Sequence, residues 1–180
     1  LSSAESGYFR GAAGEFRLGI VGLGIFASFL RKSATLDSSG GVTSIYQAGY
    51  FRSENEISKR SNLIEKFMGL NLRIFPDRRS EVGLTCFGDL HSRKLVPPGG
   101  NKVFGYSADY SIAISAVELY GEFAFLNSAS AHSNGIKISP YNSFSIVALY
   151  RSYPYTFRSV HGNPFGERGY DEKGFYLGIE

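Results

Sequence analysis

The sequence predicts an all-β fold: an antiparallel up-and-down meander forming a partial transmembrane-type β-barrel, with one short loop helix. Three observations predict it. Apolar and polar residues alternate over long segments, the connections between segments are short and long in turn, and no stretch approaches the ~20 apolar residues of a transmembrane helix. The clearest segment is Val103 to Ile114, where Phe104, Tyr106, Ala108, Tyr110, Ile112 and Ile114 share one face and Ser107, Asp109 and Ser111 the other. Period two means a strand, because successive side chains point to opposite faces. A soluble strand usually runs ~5–6 residues, whereas crossing a bilayer at a tilt takes ~9–11.

In chain order, strands are expected near residues 6–16, 20–31, 62–75, 80–92, 102–113, 116–126, 129–139, 143–153 and 174–180. Short connections then fall at Arg17 to Gly19, Pro76 to Arg79, Ile114 to Ser115 and Pro140 to Asn142. Longer ones fall at 32–61, 93–101 and 154–173, and only 127–128 breaks that length rule. Outer-membrane meanders have tight turns on one side and long loops on the other. Pro76-Asp77 and Pro140-Tyr-Asn142 bring the fixed φ and the Asx bonding of tight turns. The turn at Ile114-Ser115 has no Gly, Pro or Asn. The strand beginning at Gly174 reads as cut off in mid-run, so residues 1–180 are expected to be one β-barrel region from a longer chain.

Within the long loop 32–61, Val42 to Arg52 has extended character. Ser53-x-x-Glu56 is a capping box, which predicts a short helix near 54–60 that either folds into the lumen or sits on the rim.

Composition suits this reading. Aromatics make up 15%, as 12 Tyr and 15 Phe, and many of the 22 Gly lie within the segments, a mix that fits pleated surfaces and interfacial girdles. Lys and Arg are scattered and the net charge is only +3, so no nucleic-acid contact is expected from this segment. The single Cys86 rules out an internal disulfide and a thiolate metal cluster, and the three His residues lack ligand spacing. No metal and no cofactor is expected. Gly19-x-x-Gly22-x-Gly24 lacks the strand-to-helix context of a phosphate loop and reads as strand glycine. Gly162 to Gly169 reads as a turn-rich loop core. Glu118 and Glu122 share a face, yet no nucleophile, base and orienting group converge, so no catalytic residue is assigned and an enzyme is not expected.

The faces supply the candidate site. Glu65, Asn71, Arg73, Asp89, Asp109, Glu118 and Glu122 fall on polar rows and are expected to face a wet lumen. Leu70, Leu72, Leu84, Tyr106, Tyr110, Leu119 and Phe123 fall on apolar rows and are expected to face lipid. Lys66 is the exception on its apolar row, near one end. The rival reading is a soluble sheet whose polar row faces bulk water. Phe144 to Tyr153 is apolar on both sides at its centre, and fits either.

Several runs also resemble a known family: Gly49-Tyr-Phe-Arg-Ser-Glu-Asn-Glu-Ile-Ser-Lys59, Asn62 to Leu72, Leu119 to Ala124, and Ala148 to Tyr153 leading to His161-Gly-Asn-Pro-Phe-Gly-Glu167 and Glu172 to Gly178. They are similar to the C-terminal β-barrel region of bacterial helix-hairpin-helix domain-containing outer-membrane-type proteins, whose members also carry a signal peptide. Where those relatives read Asn-Ala-Phe-Gly-Glu, this chain has Pro164. The resemblance implies a bacterial outer-membrane location and a bilayer as partner, and it carries over no catalytic residues. The expected function is a non-enzymatic barrel segment acting as pore, receptor or anchor, with solute or protein ligands at the long loops. The alternative is a soluble or surface β-sheet binding module, nucleic-acid-associated only through a helix-hairpin-helix region that this segment lacks.

Overall fold

The computed structural model describes residues 9–46, 50–96, 100–141, 143–157, 161, 165–167 and 170–179. Eleven strands and one helix follow in order: β1 (Gly11–Leu18), β2 (Val21–Lys32), β3 (Ala34–Leu36), β4 (Val42–Ile45), α1 (Glu54–Ser58), β5 (Leu63–Ile74), β6 (Glu81–His91), β7 (Lys102–Ile114), β8 (Val117–Leu126), β9 (Ala129–Tyr141), β10 (Phe144–Tyr153) and β11 (Glu172–Ile179). The fold is all-β. Nine strands form one sheet in the order β1-β2-β5-β6-β7-β8-β9-β10-β11, an antiparallel meander, with β3 and β4 paired separately. β1 and β11 stand at the two ends of that order, and no pairing between them is found among the described residues.

By contacts the chain gathers into two units. The first holds the described part of 1–14, Ile25–Gly69 and Phe87–Phe104; the second holds Glu15–Gly24, Leu70–Cys86 and the described part of 105–180. Each has a small apolar cluster. In the first, Ala34, Val42 and Leu63 are buried against Leu36, Ile45 and Leu95. In the second, Ala129, Ala131, Tyr153 and Phe157 are buried against Ala124 and Leu126. The small residues Ala129 and Ala131 leave room for the rings of Tyr153 and Phe157.

Tight turns set the register. β1 to β2, β7 to β8 and β8 to β9 each turn in two residues, and in each the first turn residue has a left-handed backbone: Gly19 at φ 58°, Ser115 at 55° and Asn127 at 52°. Glycine takes that conformation freely and Asn tolerates it, whereas Ser115 holds it against the Cβ penalty. Ser115 therefore makes a turn without the usual turn residues. Register then runs unbroken from Ile114↔Val117 to Gly105↔Leu126, and from Leu126↔Ala129 to Val117↔Ile138.

Several boundaries differ from expectation, among them the end of β1 at Leu18 and the start of β11 at Glu172, and two have a clear cause. β1 begins at Gly11 rather than at 6, of which residues 6–8 lie outside the described residues. At Arg10 the Ser28 hydroxyl takes over from the backbone, accepting from the Arg10 N–H at 3.0 Å and donating to its carbonyl at 3.2 Å. Pro140 lies inside β9, and the turn follows Tyr141. Its missing N–H costs nothing there, because Val117↔Ile138 is the last pair on the β8 side and the β9–β10 register slips between Phe144 and Ile146.

The excursion between β2 and β5 holds a hairpin where only extended character was expected. β3 and β4 pair around Asp37 to Gly41, where the Asp37 carboxylate accepts from the Ser39 N–H, the Ser39 hydroxyl and the Gly41 N–H at 2.9, 2.7 and 2.8 Å. Those donors hold the Asp37 carboxyl below its ordinary value, the Ser39 hydroxyl foremost. The helix appears at Glu54–Ser58 with its capping box complete: Ser53 Oγ accepts from the Glu56 N–H, and the Glu56 carboxylate accepts from the Ser53 N–H at 3.1 Å. Glu56 also accepts from the Arg52 N–H at 2.7 Å, the main cause of its lowered pKa. Around this loop Arg52, Lys59 and Arg60 sit 4.8, 5.3 and 5.5 Å from the ring centroids of Tyr50, Tyr46 and Phe51.

The turns and the cap can be tested separately. Gly19→Val is expected to destabilise by roughly 1–2 kcal/mol because it forces a β-branched residue into the left-handed region, and Ser115→Gly to stabilise by a fraction of that; equilibrium unfolding in denaturant measures both. For the cap, the folded Glu56 pKa lies below its unfolded value. Its contribution is therefore complete above about pH 4.3 and is lost as pH falls through the folded value. Protection of the Arg52 and Ser53 amides against hydrogen exchange, taken relative to the unprotected rate at each pH, is expected to fall over that acid window in the native protein and to be low throughout in Glu56→Ala.

Candidate functional site

The chemistry-bearing side chains collect on the polar rows of each unit. In the first unit, Leu63, Glu65, Asp89 and His91 point to the protected side of β5 and β6. Glu65 is 3% exposed and Asp89 fully buried. The Lys32 ammonium at the end of β2 donates to Glu65 Oε2 at 2.6 Å. His91 Nε2 lies 3.4 Å from the same oxygen and 3.6 Å from Asp89 Oδ1. His91 Nδ1 is buried and meets no partner among the described residues. Carboxylates rarely go into a dry interior without cations, because the desolvation cost exceeds what a single hydrogen bond returns. Lys32 supplies that charge. These are metal-ligand residue types, with the lysine ammonium already seated on the Glu65 oxygen.

In the second unit the polar row is a ladder. Arg73 Nη1 meets Glu81 at 2.7 Å and Nη2 meets Asp109 at 3.8 Å, while Arg73 Nε donates to Asn71 Oδ1 at 3.1 Å. Asn71 in turn donates to Thr85 Oγ1 at 2.8 Å. Arg73 is on β5 and Asp109 on β7, so their contact spans β6. Gly83 makes the crossing possible, since a Cβ there would collide with the Asp109 carboxylate. Further along, Ser111 Oγ donates to Glu118 at 2.9 Å, and Arg151 Nε donates to Glu172 at 2.7 Å above Gly174. Tyr120 lies over Gly135 in the same manner. These polar pairs satisfy one another, and no nucleophile, base and orienting group converge among them.

The expected polar residues thus divide. Glu65 and Asp89 come together; Asn71, Arg73 and Asp109 come together; Glu118 accepts from Ser111 and lies opposite Lys137 on β9; and Glu122, directly opposite Asp109, is exposed. Two carboxylates directly across a strand pair repel, which keeps Glu122 in the open. The residues that complete the groups, Lys32, Glu81 and His91, stood outside the candidate set. Glu81 and His91 share the polar row of β6 with Thr85 and Asp89, so period two alone marks them. Lys32 carries no such mark, because it follows Leu30 on its row.

The expected apolar row is exposed. Leu70, Leu84, Tyr106, Leu119 and Phe123 are 44%, 53%, 55%, 41% and 44% exposed, while Leu72 and Tyr110 are half-buried. Tyr110 reaches past Gly121 and donates its hydroxyl to Asn134 Oδ1 at 2.9 Å. Cys86 is exposed.

Removing the cation of the buried group isolates the carboxylates. Lys32→Met is expected to cost on the order of 3–5 kcal/mol in denaturant unfolding, and Lys32→Met combined with Glu65→Met to recover most of that loss. Set against family models, curated proteins and solved structures, the chain matches none.

Proposed function

We propose that this chain is a segment of a transmembrane-type β-barrel of the bacterial outer membrane, non-enzymatic, acting as a pore, a receptor or an anchor, with its long loops as the surface open to solute or protein ligands. The observation that carries this reading is the inverted exposure of the sheet: carboxylates are buried on one row while large apolar side chains are exposed on the other. A sheet in water does the opposite. Register extends the apolar row across five strands of the second unit. Ile114, Val117, Ile138, Ile146 and Ile179 align, as do Ile112, Leu119, Ile136, Ala148 and Leu177. The next row is Tyr110, Gly121, Asn134, Tyr150 and Phe175, and Tyr141 pairs with Phe144 at the opposite end. Aliphatic rows flanked by aromatic ones are the pattern of a lipid-facing band with its interfacial girdles.

Strand length agrees. β5 to β10 have 10 to 13 residues each. At ~3.3 Å per residue and a tilt of ~45°, such strands rise about 23–30 Å, close to the ~25 Å apolar band of an outer-membrane barrel. No helix among the described residues is long and apolar enough to cross a membrane.

Site-directed labelling in lipid separates the faces. With Cys86→Ser as background, single cysteines at Leu119 and Phe123 are expected to react with a bilayer-restricted probe, and cysteines at Asp109 and Glu118 with a water-soluble one only. Equal bilayer labelling of both sets overturns the reading.

A further inference from the structure

We infer that the first unit carries an outward belt of cations that binds the phosphate groups of anionic lipid at the long-loop margin of the apolar face. The inference rests on the membrane reading above and adds a partner to it. On β2 the exposed row runs Ile25, Ala27, Phe29, Arg31; on β5 it runs from Met68 to Lys66; on β7 from Phe104 to Lys102. On β2 and β7 the apolar row ends in a cation next to a bulky apolar side chain, on the side of the long loops; on β5 Lys66 follows Met68, with the half-buried Ile64 beyond it. The aromatic rings hold the transition: the Lys66 ammonium lies 5.9 Å from the centroid of the Phe29 ring, and the Phe104 ring rests over Gly88, where a Cβ would sit 3.4 Å from it.

The three cations are exposed. Arg31 and Lys102 make no hydrogen bond or ion pair among the described residues, and Lys66 has only its ring. The carboxylates on this unit's strands, Glu65 and Asp89, are buried on the opposite row and engage Lys32 and His91. Among the described residues, nothing on the outward row therefore neutralises Arg31, Lys66 and Lys102. A cation at the edge of an apolar band extends its stem along the apolar surface and its head toward the interface, where lipid phosphates lie. Arg31 suits a phosphate as a bidentate fork, and the two lysines suit it as point charges.

The test uses the full protein in phosphatidylcholine vesicles carrying trace spin-labelled lipid, with electron spin resonance reading the motionally restricted lipid at the protein surface. Spin-labelled phosphatidic acid is expected to be preferred over spin-labelled phosphatidylcholine by roughly fivefold, the effect of about one engaged cation, and the preference is expected to shrink with added salt. The variant Arg31→Gln, Lys66→Gln, Lys102→Gln is expected to bring the ratio near one, while Arg52→Gln with Arg60→Gln in the loop leaves it unchanged. Restricted lipid without headgroup preference in the unvaried protein, or a preference lost equally in the loop variant, overturns the belt and leaves the membrane reading standing. Absence of any restricted lipid overturns both.

Discussion

The rest of this structure depends on keeping Glu65 and Asp89 out of water. A strand that buries carboxylates on one face has to present its other face outward, and here that face is aliphatic and aromatic. The unfavourable term is the desolvation of two acids. Lys32 and His91 offset it by bringing positive or polar atoms within 3.6 Å, so the stability of the first unit is tied to a few side chains rather than to a broad apolar core. Its apolar cluster of Ala34, Val42 and Leu63 is too small to change that balance.

The second unit solves the same problem differently. Its polar row is half-exposed, and its charges meet in pairs and threes: Arg73 with Glu81 and Asp109, Arg151 with Glu172. Partial hydration lowers the cost of each charge, so geometry is looser, and Glu122 makes no ion pair among the described residues. Local connectivity suits both units. Two-residue turns at Gly19, Ser115 and Asn127 join neighbours in chain order, so most pairing closes short loops.

Alternation made the nine long strands legible in the sequence, since each side chain's face follows from its parity in the chain. The capping box was legible for the same local reason, because Ser53 and Glu56 act on each other's backbone. The β3–β4 hairpin was not, because three- and four-residue strands are too short to display a period. At Ser115 the residue type misleads: the left-handed turn is imposed by the pairing on either side, from Ile114↔Val117 onward. The candidate groups were legible only as rows. Which members touch depends on strand neighbours and on reach across glycines, as with Arg73 and Asp109, and no local pattern encodes that.

Gly83 shows what such a gap does to the sheet. With Asp109 lying over it toward Arg73, β6 is threaded beneath a bridge between its two neighbours. The smallest sliding of β6 that keeps its faces is two residues, and that would bring Glu81 or Thr85 under the bridge. Glu81 would place a second acid against Asp109 beside Glu122, and Thr85 would drive its branched side chain into the carboxylate. The missing side chain thus works as a keyway: β6 fits in one position along its length, and the sheet is locked against shear without a covalent link.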